Sequence, residues 1–361
     1  MKKILSLVLI FILVNQIFPF SLFKFFTTTQ PSIGVLQYNN SQKKTTFIGR
    51  NLLRLDFITN PLLPIQFDIS LDANLLYGDF TKLFITKQNT TKLTDELMFF
   101  YETRKCYLKY NTNFADIYIG RQLLKFGEGI IFNPLNPFSK LDFTDIAFAR
   151  IGVDSVRLKF PISLMSYFET IAISENFKFD NVNFATRILF PVLGYDVSFT
   201  GYHYKDTGYT SLGISFKGDL IGGLYGEVVY TSKINKKDEY TVSLMLGFDY
   251  SFFENLIIRT EYLNNQNQNL PIYNTITTPF CSSQYIASQI IFTPTMIDSF
   301  YLNTIYNLQN NSMLHTFAYQ RNIVQNTDVT LKIFYQKNDI TGNFQKNFNY
   351  IAYLLEFKIK L

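Results

Sequence analysis

Residues 348–361, FNYIAYLLEFKIKL, set Ile351, Tyr353, Leu355, Phe357, Ile359 and Leu361 against Glu356, Lys358 and Lys360. Successive side chains of an extended chain point to opposite faces, so this period of two predicts a strand with one apolar and one polar side. The same alternation recurs upstream. Ile65, Phe67, Ile69, Leu71, Ala73 and Leu75 interleave with Gln66, Asp68, Ser70, Asp72 and Asn74. Val182, Phe184, Thr186, Ile188 and Phe190 interleave with Asn183, Ala185 and Arg187, and Tyr240, Val242, Leu244, Leu246, Phe248 and Tyr250 with Thr241, Ser243, Gly247 and Asp249. Helical spacing fits none of these segments.

Working outward gives seventeen clear strands, near 46–57, 64–77, 95–110, 114–122, 152–160, 163–174, 182–190, 194–204, 209–217, 220–231, 239–250, 254–263, 284–292, 299–307, 312–321, 327–336 and 348–361. The connectors fall into two classes. Residues 58–63, 111–113, 161–162, 191–193, 218–219, 251–253, 293–298 and 322–326 are mostly short turns, often with Pro, Asn or Gly. Residues 78–94, 123–151, 174–181, 232–238, 264–283 and 337–347 are longer and more polar. Short turns at one end, long loops at the other and an even strand count characterise barrels of the bacterial outer membrane. With turn 58–63 on the periplasmic side, an upward strand has to precede 46–57, and Ile33 to Tyr38 supplies it. The expectation is therefore an all-β fold: a transmembrane antiparallel β-barrel of eighteen strands with both termini in the periplasm. Sixteen is the alternative count, with two weaker strands outside the wall.

Composition agrees with a lipid-facing exterior. Aromatics make up 17% of the chain, with 38 Phe and 24 Tyr, and charged residues also 17%, below the quarter usual in soluble proteins. A soluble β-sandwich would alternate too, but the sustained alternation and the N-terminal leader favour the membrane. Lys2 and Lys3 precede an apolar run from Ile4 to Phe18, then Pro19 and Ser21, the layout of a secretory signal peptide. The expected division is a signal peptide over 1–21, without a sharp cleavage motif, and one barrel domain over 22–361. Tyr77, Tyr110, Phe190, Tyr230 and Tyr250 stand at strand ends where interfacial aromatic girdles belong. Removing the leader takes 33 basic residues to 31 against 28 acidic, a balance of about +3 that gives no reason to expect nucleic acid. Cys106 and Cys281 are too far apart in sequence to define a disulfide scaffold.

One stretch breaks the alternation. Between the strands 114–122 and 152–160 lie about thirty residues rich in Gly, Pro, Phe and charge, with Pro134 and Pro137 excluding a single helix. Leu123, Phe126, Ile130, Phe132, Leu135, Phe138, Phe143 and Phe148 are more apolar than a disordered segment carries. The loop is expected to be ordered and folded inward over 123–151, as a constriction of the pore or a cap on its mouth.

At Ile119-Gly120-Arg121-Gln122, then Phe126-Gly127-Glu128-Gly129, then Phe132-Asn133-Pro134-Leu135-Asn136-Pro137-Phe138, the chain resembles a group of bacterial outer-membrane porin-like barrels. In that group a G-R-Q strand end leads into W/F-G-x-G and N-P-x-(D/N)-x-F; alginate-export-type barrels share the G-R-Q end. Ile151 to Leu158 extends the resemblance through R-x-G-V-D-x-x-R-L, and Phe126 stands where the group more often has Trp. About forty residues carry it. The resemblance implies an outer-membrane channel and leaves the solute open.

With apolar faces toward lipid, the polar faces put Arg50, Arg54, Asp68, Asp72, Arg157, Lys159, Arg187, Arg259 and Glu261 into the lumen, along with Asp56, Asp196, Glu227, Asp249, Lys332, Glu356, Lys358 and Lys360. They serve either as a selectivity field or as cross-strand ion pairs. In the loop, Arg121, Lys125, Glu128, Asp142, Asp145 and Arg150 are the candidates for a charged constriction, and Gly120 is expected to let the loop approach the wall. Arg121 has the parity of Ile117 and Ile119, so only a bulge or strand end would turn it inward. His203 and His315 are the only histidines; neither sits near a nucleophile motif, and no metal or phosphate motif stands out. The functional expectation is a non-enzymatic, cofactor-free porin that passes small hydrophilic solutes passively, with the lipid bilayer as its partner and a homo-oligomer left open. The alternatives are a structural or envelope-anchoring barrel without an open pore, and an exporter of a polysaccharide or apolar ligand.

Overall fold

The computed structural model describes residues 23–39, 43–78, 90–94, 96–136, 138, 152–174, 182–205, 207–219, 221–233, 236–266, 280, 282–338 and 349–360. The expected signal peptide lies outside them. The strands run, in chain order, β1 Phe23–Asn39, β2 Lys43–Thr59, β3 Ile65–Gly78, β4 Thr90–Thr94, β5 Leu97–Asn111, β6 Asp116–Gln122, β7 Val153–Pro161, β8 Tyr167–Ser174, β9 Val182–Val192 and β10 Tyr195–Tyr204. They continue as β11 Tyr209–Asp219, β12 Gly223–Lys233, β13 Lys236–Phe252, β14 Leu256–Asn265, β15 Gln284–Phe292, β16 Asp298–Asn307, β17 Ser312–Val324, β18 Thr327–Lys337 and β19 Tyr350–Lys360.

Each strand pairs antiparallel with its neighbour, and β1 closes on β19 from Thr28↔Lys360 to Tyr38↔Tyr350. The short β4 pairs only with β5, while β3 pairs directly with β5 across the same connection, so the closed wall has eighteen strands. This excludes the count of sixteen. β1 is longer than its sequence pattern suggested. Its first half, FKFFTTTQ, does not alternate, yet it pairs with β2 from Phe23↔Thr59 onward; on the β19 side the register is bridged at Thr29 and again at Ser32 but not at Gln30 or Pro31. Proline has no N–H to give a ladder, and the interruption falls there. The connection after β12 is also tighter than expected, with Ser232 and Lys233 still paired to β13 through a bulge.

The two faces separate as the alternation requires. Phe47, Leu53, Phe67, Leu71, Val156, Phe184, Leu212, Val228, Leu246, Phe248 and Leu331 stand exposed on the outer register, a belt that only lipid would cover at no cost. Tyr77, Tyr110, Phe190, Tyr230 and Tyr250 share that outer register near strand ends. Buried residues lie on the opposite register, inside the barrel. They gather in three apolar clusters, of which two contain side chains from the loop after β6. The third, with Leu36, Ile48, Leu76, Met98, Phe100 and Leu354, joins the inner faces of β1–β3, β5, β18 and β19.

Candidate functional site

The chain leaves the wall at Gln122 and turns into the lumen. Leu124, Phe126, Leu135 and Phe138 pack against inward-facing Ile171, Ala185, Tyr202, Tyr204, Tyr209 and Val229 of β8–β12. Ile131 and Phe132 pack farther round, on Tyr225, Met245, Leu263, Tyr285 and Ile305 of β12–β16. Phe132 meets Phe280, from the connection after β14, edge-on at 4.7 Å, and Phe138 meets Tyr204 at 5.3 Å. Each large side chain buried in this way contributes about 1.5–3 kcal/mol. The two asparagines of the N-P-L-N segment stitch the turn: Asn133 Nδ2 donates to Gly129 O at 3.1 Å and Asn136 Nδ2 to Leu124 O at 2.8 Å.

Two carboxylates on the wall hold the backbone of this loop. Glu227 Oε1 on β12 accepts the N–H of Glu128 and of Gly129, both at 2.7 Å, and its Oε2 accepts that of Leu135 at 3.1 Å. Glu261 on β14 accepts Ile130 N at 2.8 Å on Oε1, and Ile131 N at 3.0 Å and Phe132 N at 2.8 Å on Oε2. Both glutamates are buried, at 1% and 0% exposure, so these are charge-assisted bonds away from bulk water, each contributing about 1.5–3 kcal/mol. Glycine makes the approach possible. Gly127 takes φ +63, and a Cβ there would sit 2.5 Å from Glu227 Oε1. Gly213 on the inner face of β11 leaves room for the Leu135 side chain, and Gly247 on β13 lets the Tyr225 ring cross it so that its hydroxyl donates to Glu261 Oε1 at 3.0 Å.

Arg187 links the loop to the charged part of the lumen. It donates to Lys125 O at 2.9 Å, pairs through Nε with Glu169 Oε1 at 2.7 Å, and bonds Tyr167 Oη. Arg157 takes the other oxygen of Glu169 at 2.6 Å, and Lys159 Nζ lies 3.9 Å over the Tyr167 ring with no carboxylate within 4.0 Å among the described residues. On the other wall Arg54 forks onto Asp72 at 2.7 and 2.9 Å, Arg50 Nε donates to Asn74 at 2.8 Å, and Asp68 receives Lys105 at 2.7 Å and Tyr107 at 3.1 Å. Arg259 lies 3.9 Å from Asp249 and also bonds Gln289. Most lumen charges are thus spent on cross-strand pairs.

Of the described constriction candidates, Lys125 and Glu128 lie together on the loop and Arg121 lies apart. Lys125 is 59% exposed, with Glu128 3.9 Å away. Asp142, Asp145 and Arg150 lie outside the described residues. Arg121 is a correction: it keeps the outer register of Ile119 and Val156, forks onto Asp154 at 2.7 Å through Nε and Nη2, and donates from Nη1 to Thr103 O. There it closes the part of the β5 edge that β6 leaves uncovered, with Gly152 N donating to Arg104 O beside it. Gly120 serves the same wall, since a Cβ at its φ of +128 would strike Cys106 O on β5, not the loop. His203 and His315 sit on the outer register, each bonded to a threonine. Sequence reasoning placed Glu227 and Glu261 in the lumen but missed their role, because nothing local joins them to N–H groups about a hundred residues away.

No protein-family model matches the sequence, and no curated protein matches it. The fold is shared with solved structures. Pseudomonas aeruginosa OccK2 (OpdF) in complex with glucuronate aligns with a TM-score of 0.60 at 10% identity, over 94% of this chain and 98% of that one. P. aeruginosa OccK8 (OprE) gives 0.59 at 8%, and Acinetobacter baumannii OccAB4 gives 0.56 at 10%, each over 94% of this chain and 98% of the other. At such identities the likeness is one of fold, a closed antiparallel β-barrel of eighteen strands.

Proposed function

We propose that this barrel is a passive channel for small hydrophilic solutes, with the loop after β6 as its constriction. What supports the reading is the docking of loop side chains Leu124, Phe126, Ile131, Phe132, Leu135 and Phe138 against the inner faces of β8–β16, away from the strands β2, β5 and β7 that bear Arg50, Arg54, Lys105, Arg157 and Lys159. An eighteen-stranded barrel without such a loop is wide enough for an open aqueous pore. Of the segment that resembles porin-like barrels, Gly120 to Gln122 is part of β6, and Phe126, Phe132, Leu135 and Phe138 pack on inward-facing side chains. Selectivity then follows from the remaining width and from the charges facing it, Lys125 and Lys159 among them.

The three apolar clusters inside the barrel favour a second reading, a structural barrel whose lumen is filled. Swelling of liposomes in neutral sugars of increasing size separates the two. A channel admits small sugars and excludes larger ones at a sharp cutoff that rises when the loop is shortened; a filled barrel admits none, and that result would replace the channel reading.

A further inference from the structure

Glu227 and Glu261 differ from four other inner carboxylates. Asp68, Asp72, Glu169 and Glu356 each have a Lys or Arg nitrogen at 2.9 Å or closer. Among the described residues, neither Glu227 nor Glu261 has a cation within 4.0 Å. Their charge is met by the six loop N–H groups and the Tyr225 hydroxyl. The surrounding elements add little. Ser215 on β11 and Met245 on β13 face Glu227, and Gly247 on β13 and Ala287 on β15 face Glu261. Farther along the inner face stand Lys217 on β11 and the Asp249–Arg259 pair, while Arg187 on β9 is engaged by Glu169 and Lys125 and Glu128 of the loop face each other.

A carboxylate presents only acceptors, whereas a carboxylic acid turns one of its oxygens into a donor. A proton on either glutamate therefore sets an O–H against loop N–H groups that need acceptors, in a buried place where an unmatched donor is costly. We propose that Glu227 and Glu261 are a proton-operated latch: with both ionised the loop is docked, and protonation of either frees residues 128–135 from the wall. Any consequence for flux rests on the channel reading; the release itself can be seen without conduction.

The test is a nitroxide at position 125 (Lys125→Cys in a Cys106→Ser, Cys281→Ser background) on the full chain refolded into vesicles. Lowering the medium from about pH 8 to about pH 4, across the range where ordinary carboxyl groups titrate, raises the mobile fraction roughly tenfold and reversibly. Glu227→Gln and Glu261→Gln, each of which puts an N–H₂ where the acid would hold its proton, are already mobile at the higher pH and respond little to acid. A spectrum unchanged between the two pH values overturns the latch, as do Gln variants that repeat the full acid response. Heat-modifiable migration on gels certifies each barrel, and should neither variant fold, the titration of the parent protein still decides. A pH-sensitive loop in a barrel that passes no solute sinks the channel reading alone; a pH-insensitive loop in a conducting barrel sinks the latch alone.

Discussion

Gly127→Ala addresses the glutamate clamp with one added methyl. Its Cβ would lie 2.5 Å from Glu227 Oε1 and 2.6 Å from Cδ, so the carboxylate has to withdraw by about 1 Å to reach ordinary contact. Oε1 accepts two loop N–H groups at 2.7 Å, and that withdrawal takes both beyond bonding distance. Two charge-assisted bonds at about 1.5–3 kcal/mol each, with about 1–2 kcal/mol for alanine in the left-handed region, less what relaxation restores, weaken docking by roughly 3–6 kcal/mol. At about 1.4 kcal/mol per factor of ten, the loop spends about 10²–10⁴ times longer undocked. Hydrogen–deuterium exchange of peptides covering 128–135 reads this directly, because those amides exchange only when the carboxylates release them. Gly194→Ala is the control: Gly194 has φ +85 with nothing within 4 Å of its would-be Cβ, so it incurs only the backbone cost and leaves the loop amides protected. Equal protection of 128–135 in Gly127→Ala and the parent protein would refute the clamp.

Other sites separate wall from lumen. Arg121→Ala removes the two-pronged guanidinium contact to Asp154, 7% exposed, and is expected to cost about 1–3 kcal/mol, discounted for the partly exposed guanidinium, seen as a lower midpoint for heat-modifiable unfolding with unaltered ion selectivity. Lys125→Glu reverses an exposed charge on the loop and should shift the reversal potential in a salt gradient toward cations with no change in barrel stability. Leu246→Arg, on the exposed outer register of β13, should destabilise the barrel in lipid by about 2–4 kcal/mol, whereas a stable, normally inserted variant would show that this face does not meet the bilayer.

The wall was legible because every strand with one face to lipid and one to the lumen has to alternate. β15 spans Gln284–Phe292, where the pattern put it, and the last strand runs Tyr350–Lys360 within the expected 348–361. Legibility failed where the chain is not held between those two surroundings. The first half of β1, three phenylalanines followed by three threonines, does not alternate, and β4 is a five-residue strand paired only with β5. The packing of the loop's described part was legible through its apolar content, Phe126, Phe132 and Leu135 above all. Its fixing to the wall was not, since Glu227 reads locally as one more polar residue of an alternating strand. The clue was indirect: Phe126-Gly127-Glu128-Gly129 has the glycines needed where backbone meets a side chain at close range. Arg121 was misplaced because lumen charge was the expected use of an arginine at a strand end, and its own parity with Ile119 was the better guide.

Single-channel recording of the refolded protein in planar bilayers, beside a variant lacking residues 125–145, bears most directly on the account. A barrel constricted by its docked loop shows steady small conductance in the parent protein and a larger one in the deletion. If neither conducts while both migrate as folded, heat-modifiable barrels, the lumen is not a passage and the proposed channel function is wrong.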